Sequence, residues 1–178
     1  MFERVVADIY ILVDGDDTYL AKDVHKLIQP IQSQKADMTV GNRRSNAIYD
    51  KQNTRPFHSF GNSLVCFLIS KIFDSKIKDA MTGYRAFSRF CIQSLAIVSD
   101  GFTVETEITI QSLHKRLRIK EIPIDYKERP EGSTSKLNTF RDGFRVIKTI
   151  FNLFRCYNPI TFFSYLQLFL IILIFCCP

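Results

Sequence analysis

Histidine is scarce in this 178-residue chain: His25, His58 and His114 lie far apart and at no ligand spacing, which argues against a histidine-built zinc site. Cysteine offers no metal frame either. Cys66, Cys91, Cys156, Cys176 and Cys177 are odd in number and form no CxxC pair, so they read as reduced thiols in a cytosolic or membrane-buried setting. The opening "MFERVVADIY" carries charges where a secretory signal would be apolar, so none is expected there. No internal repeat and no low-complexity segment is present.

With 46% hydrophobic residues the chain can close a core, and its length fits one domain plus an appendage. The net charge of +6 is unevenly placed, because residues 127–155 hold seven basic and three acidic groups while the body is nearly neutral. Residues 160–177, "ITFFSYLQLFLIILIFCC", carry no charge. As a helix they would span roughly 27 Å, the lower limit for a bilayer core of about 30 Å. A transmembrane helix is therefore expected at 159–178. The competing reading, a buried C-terminal helix, leaves too few partners to cover Phe162, Phe163, Leu166, Phe169, Leu170 and Leu173 all round. By the positive-inside rule, Lys136, Arg141, Arg145, Lys148 and Arg155 place the preceding domain on the cytoplasmic side.

"ADIYILVD" is a short apolar run of the kind that forms a strand covered on both faces, and it ends in acids. Val24, Leu27, Ile28 and Ile31 follow at helical spacing, until Pro30 and "QSQK" weaken the pattern. "ADMTVGNRR" is a second strand running into Gly41, Arg43 and Arg44. This β-α-β order predicts an α/β domain with a mostly parallel sheet, whose ligands bind beyond the carboxyl ends of the strands. Phe57, Phe60, Leu64, Val65, Leu68 and Ile72 predict a helix from Pro56 to Phe73, either a core helix or one lying in a membrane interface. Val104, Ile108 and Leu113 predict another between Phe102 and Leu117. "RIKEIPIDYKER" reads as a strand that Pro123 marks as an edge, and "RPEGSTSK" as a loop. Phe144, Ile147, Ile150, Phe151 and Phe154 form the apolar face of an amphipathic helix whose other side is basic.

Asp14 and Asp16 stand one residue apart where the first strand ends, so both carboxylates can aim at one hard cation. "ILVDGDDT" also fits the start of haloacid dehalogenase-type phosphatases, with Asp14 as nucleophile and Asp16 as general acid. That chemistry wants a later acidic pair, whereas Asp79 stands alone. The ordered set that follows, "DAMTGYRAFSR" (79–89), "GFTVETEI" (101–108) and "ERPEGSTSKL" (128–137), resembles the family 2 glycosyltransferases of the dolichyl-phosphate mannose synthase type, from about Ala7 to Pro178. The resemblance implies a GT-A (Rossmann-like) fold and sugar transfer from a nucleotide-sugar to a polyprenyl phosphate at the cytoplasmic membrane face. No nucleic acid is among the expected partners.

On that resemblance, Asp14 and Asp16 are the DxD pair that holds Mg2+ or Mn2+ against the donor diphosphate. Thr18 replaces a glutamine of the commoner form. Arg43, Arg55 and Ser59 resemble the groups that receive the lipid phosphate. Asp79, Gly83 and Arg85 match DxxSGFR, with Thr82 for Ser and a tight backbone at Gly83 letting the loop approach the sugar. Arg129, Ser135 and Lys136 match a loop that closes over the donor phosphates. Asp16, Asp79 and Arg129 are thus the catalytic candidates. Glu105 and Glu107 occupy the acidic position of base-using relatives; two apart on a helix, they point to different faces, so at most one faces the cleft and a surface role is expected for the other.

A polyprenyl phosphate is already an anion, so it needs no strong protein base to attack the anomeric carbon. The resemblance implies three parts: a partial transferase domain at 1–138, an amphipathic juxtamembrane helix at 139–158 and the membrane segment at 159–178. It also implies an N-terminal β-α-β portion that grips the nucleoside, of which only about seven residues precede the acidic strand. A fragment, or a second polypeptide supplying that half, is the expectation, with a non-catalytic membrane-associated remnant as a further alternative.

Overall fold

The computed structural model of the chain describes residues 5–43, 56–127 and 139–176, with the backbone alone at 56–60, 139, 140 and 176. Its elements in order are β1 (Ile9–Leu12), α1 (Val24–Gln32), β2 (Met38–Asn42), α2 (Pro56–Phe73), β3 (Arg85–Ser88), α3 (Arg89–Ser94), α4 (Val104–His114), β4 (Ile119–Pro123), α5 (Thr139–Tyr157) and α6 (Pro159–Cys176). Short 3-10 turns at Ala21–Asp23 and Gly101–Thr103 lead into α1 and α4.

The sheet is mixed, which corrects the expected mostly parallel arrangement. Its order is β1-β3-β2-β4, with β3 antiparallel to both neighbours and only β2 and β4 parallel. The cause is β3, a strand absent from the apolar pattern because it opens on Arg85. Its arrival between β1 and β2 breaks the β-α-β unit that the first two strands suggest. β2 is buried along its whole length, as a strand between two partners must be. Gly41 is needed there: a Cβ would lie 2.6 Å from Ile124 Cδ1 and 3.0 Å from the Tyr84 carbonyl. β4 pairs with β2 alone, the edge that Pro123 allows.

Pro30 lies inside α1 instead of ending it, and its carbonyl accepts from the amides of Lys35 and Ala36. Leu27 and Ile31 of the same helix pack with Tyr19, Tyr84 and Ile124 on one side of the sheet. On the other side, Met38, Val40 and Phe87 meet Ile108 of α4. Outside α4 a third cluster joins Val65, Cys66 and Ile69 of α2 to Ile110, Val146 and Ile150. Helix α5 is therefore part of the domain core. Its buried face is Val146, Ile150 and Phe154, whereas Phe144 and Phe151, expected on that face, are turned outward.

Among the described residues no single helix is long and apolar enough to cross a membrane, so the single span expected at the C-terminal end is not confirmed. One pair passes that test together: residues 141–157 and 159–175, bent by 111° at the break between them. Helix α6 is apolar on every side, and Phe162 packs edge-on against Phe154 at 5.4 Å between centroids.

Candidate functional site

Four loops meet at one end of the sheet. The residues after β1 and after β2 arrive there, the register Leu12↔Arg85 and Val40↔Arg85 brings the start of β3 to the same place, and β4 delivers residues 124–127. Asp14 follows β1 and is exposed, and its carboxylate lies directly over Gly83. A Cβ at Gly83 would overlap both Asp14 oxygens, so only glycine leaves room for that carboxylate. Asp16 is half-buried and folds back on its own turn, accepting from Thr18 Oγ1 at 2.6 Å and from the Thr18 amide at 3.3 Å. Asp17 completes the turn at φ 56°, a conformation aspartate tolerates.

Behind these acids sits a buried ion pair. Arg43 donates to Asp79 in bidentate form, Nε to Oδ2 at 2.8 Å and Nη2 to Oδ1 at 2.9 Å, and its backbone amide adds a third bond at 3.3 Å. Asn62 Nδ2 donates to Asp79 Oδ1 at 3.1 Å. Burial alone would raise the Asp79 carboxyl; the Arg43 guanidinium and the Asn62 amide outweigh it and hold the group below its ordinary range. The Asp79 amide is fixed too, donating to Glu121 Oε1 of β4 at 2.9 Å.

Arg85 is fully buried, and its guanidinium holds the loop before β3: Nη2 to the Ala80 carbonyl at 2.6 Å, Nε to the Thr82 carbonyl at 2.8 Å and Nη1 to Thr109 Oγ1 at 2.9 Å. The resemblance places Arg85 at the substrate, but with these bonds made it shapes the loop that carries Gly83. Beneath the loop, Tyr19 Oη lies 3.3 Å from Thr82 Oγ1 and accepts from the Gly83 amide at 3.3 Å. Burial pushes the Tyr19 phenol up to about 12, so it stays neutral.

Glu105 is half-buried on α4 and within electrostatic reach of Arg85, Asp14 and Arg43; burial raises its carboxyl above the usual range. Its neighbour Glu107 corrects an expectation. Expected at the surface, it is buried and accepts from the Val98 amide at 3.2 Å, the Ser99 amide at 2.7 Å and Gln111 Nε2 at 3.0 Å. Glu107→Ala is expected to cost about 1–3 kcal/mol, because those donors lose their acceptor, and to speed amide exchange at Val98 and Ser99. Unchanged exchange at both amides would show that the clamp is not holding the segment.

The acid turn is tied to the far side of the site. Tyr19 bridges Tyr126, the Lys127 amide donates to the Thr18 carbonyl at 2.9 Å, and Lys127 Nζ reaches Asp17 at 3.5 Å. Arg43 stacks over the Tyr126 ring, 5.8 Å from its centroid. Residues 124–127 lead directly to the segment with Arg129, Ser135 and Lys136. These three, with Arg55 and the side chain of Ser59, lie outside the described residues. A separate cleft of about 610 Å³ opens between residues 99–103 and α5, lined by Arg145, Lys148 and Asn152 among others.

Among the described residues no group of three or more His, Cys, Asp or Glu side chains could hold a metal. Asp14 and Asp16 offer hard carboxylate oxygens at one turn, with the Asp14 carboxylate seated against Gly83. That donor set fits a Mg2+ or Mn2+ ion whose remaining ligands are water and phosphate oxygens.

The chain is similar to known glycosyltransferases. Glycosyltransferase AglJ of Haloferax volcanii is 28% identical over 162 residues, covering 91% of this chain and 52% of that protein. UDP-N-acetylglucosamine–dolichyl-phosphate N-acetylglucosaminyltransferase of Methanococcus voltae is 30% identical over 122 residues, covering 66% and 47%. The chain spans about half the length of the curated relatives it matches. In fold it resembles glucosyl-3-phosphoglycerate synthase of Mycobacterium tuberculosis, solved with Mn2+ and UDP-glucose: TM-score 0.57 at 16% identity, over 83% of this chain and 50% of that one. The glycosyl transferase family 2 pattern matches residues 1–96, more than half of the sequence, which sets the phosphatase alternative aside: the chain belongs to glycosyl transferase family 2.

Proposed function

We propose that this chain carries the catalytic face of an inverting glycosyltransferase that moves a sugar from a nucleotide-sugar to a polyprenyl phosphate at the cytoplasmic surface of a membrane. The observation that carries this reading is the Asp14 carboxylate standing over Gly83, with the Arg43–Asp79 pair immediately behind it. Its relatives' names supply the substrate classes: the Methanococcus voltae protein transfers N-acetylglucosamine to dolichyl phosphate.

Asp14 and Asp16 would hold Mg2+ or Mn2+, which when bound neutralises charge on the departing nucleoside diphosphate. Thr18 holds the Asp16 carboxylate in place. Asp79 takes a positioning part, fixing the buried Arg43, and Arg43, Arg55 and Ser59 would receive the acceptor phosphate. Arg85 keeps the loop flat so that Gly83 can approach the sugar. Glu105 borders the donor, and Arg129, Ser135 and Lys136 close over its phosphates from the segment anchored at Lys127. The acceptor oxygen attacks the anomeric carbon as the sugar–diphosphate bond breaks, and because that oxygen is already ionised no proton has to be removed. Catalysis is then positioning and charge neutralisation.

The test is to incubate membranes carrying the chain with candidate nucleotide-sugars and polyprenyl phosphate. Lipid-linked sugar should form, should disappear on chelation and should be lost in Asp16→Ala. Formation that survives Asp16→Ala sinks the metal assignment. No transfer with metal, donor and lipid all supplied sinks the enzymatic reading and leaves the non-catalytic remnant.

A further inference from the structure

Tyr19 carries a hydroxyl into the cluster of Leu27, Ile31, Tyr84, Ala86 and Ile124, where a phenylalanine would fill the same space. The residue is 7% exposed, so that hydroxyl needs a partner inside the protein. It finds partners in the loop before β3: Oη lies 3.3 Å from Thr82 Oγ1 and accepts from the Gly83 amide at 3.3 Å. Thr82 Oγ1 in turn accepts from the Tyr84 amide at 3.4 Å. Two amides of the loop thus end on two hydroxyls, one of which donates to the other. The ring holds the same neighbours, meeting Tyr84 at 5.1 Å between centroids and Tyr126 edge-on at 5.6 Å.

What the loop touches on its other side decides what this bond is for. The Asp14 carboxylate is seated against Gly83, and Asp14 and Tyr19 belong to one short segment, residues 14–19. That segment therefore grips Gly83 twice, through the carboxylate above and through the phenol beneath. Release of the lower grip lets Gly83 shift, and the Asp14 carboxylate must shift with it. Being buried, the phenol acts through the acid and not on a ligand itself.

We propose that Tyr19 is a positioning residue: its hydroxyl holds Gly83 under the Asp14 carboxylate, so that Asp14 and Asp16 meet a divalent cation in one fixed arrangement. This rests on the cation reading above and adds the residue that sets the arrangement.

The probe is Mn2+ alone, titrated into the full chain in detergent and followed by the electron paramagnetic resonance signal of the unbound ion. Asp14→Asn identifies the site and should abolish binding there. Tyr19→Phe keeps the ring and removes only the hydroxyl; it should weaken Mn2+ about tenfold, the usual scale for a group that orients a metal ligand, and should speed hydrogen exchange at the Gly83 amide. Tyr84→Phe is the matched control, since it takes a hydroxyl from the same cluster whose bond goes to the Leu20 carbonyl at 3.3 Å. It should lower the melting temperature to a similar degree while Mn2+ affinity stays native. Thr82→Val breaks the Tyr19 contact from its other end; it should match Tyr19→Phe and stands in for it should that variant unfold, whereas Thr82→Ser should keep native affinity. Native Mn2+ affinity in a folded Tyr19→Phe, or in Thr82→Val, overturns the inference and leaves the cation reading intact. Equal weakening in Tyr84→Phe assigns the effect to packing and also overturns it. No Mn2+ binding by the native chain, or binding that survives Asp14→Asn, overturns the cation reading and this inference with it.

Discussion

Arg43→Ala should lose about 3–5 kcal/mol of unfolding free energy at neutral pH, because it leaves the Asp79 carboxylate buried without its countercharge. Chemical denaturation followed by circular dichroism measures this. The pH dependence gives a sharper signature. In the native chain Asp79 is held below its unfolded range, so its contribution is present above the unfolded carboxylate pKa of about 3.9 and is lost as pH falls through the depressed folded value. Without Arg43, burial dominates and the folded carboxyl titrates above the unfolded one. Protonation then favours the folded state, and the variant should gain stability as pH falls from 7 toward 4, over a range where the native chain changes little at this site. Replacing both partners, as in Arg43→Met with Asp79→Leu, should cost less than Arg43→Ala alone. A double variant as unstable as the single one would mean that the loop depends on the bonds to Asp79 beyond their charge.

Asp14→Asn should lower sugar transfer on the order of a hundredfold, since a cation bridging protein and diphosphate is worth several kcal/mol in the transition state. Gly83→Ala should come close to that loss with little change in stability. Its backbone needs no left-handed conformation, yet the new methyl occupies the place of the Asp14 oxygens and the short acid has to swing away. The pair of variants separates chemistry from folding: melting temperatures should stay near the native value while transfer falls in both. Native activity in Gly83→Ala would show that Asp14 acts from another position.

The acid turn was legible because an apolar strand that runs straight into Asp14, Asp16 and Asp17 needs a polar purpose. Helices α1, α2, α4 and α5 were legible because apolar residues recur at their period. β3 was not, since Arg85 opens it and becomes tolerable inside a sheet only when Ala80, Thr82 and Thr109 supply acceptors. Without β3 the sheet reads as parallel. Phe144 and Phe151 misled for another reason: periodicity shows that rings share a flank with Phe154, not whether anything covers them. The Arg43–Asp79 pair joins two loops far apart in sequence, and no local spacing announces it.

The strand order carries a kinetic consequence. Among the described residues no strand pairs with a neighbour across a tight turn: Ile9 pairs with Ser88, and Val40 with Glu121, from which α2, β3 and α4 separate it in the chain. Loop closure of this length precedes any gain from pairing, so folding is expected to be slow. A nascent chain emerging from the ribosome therefore holds β1 and β2 unzipped until the third and fourth strands follow. During that interval the apolar side of α2 stands open to chaperones or to lipid.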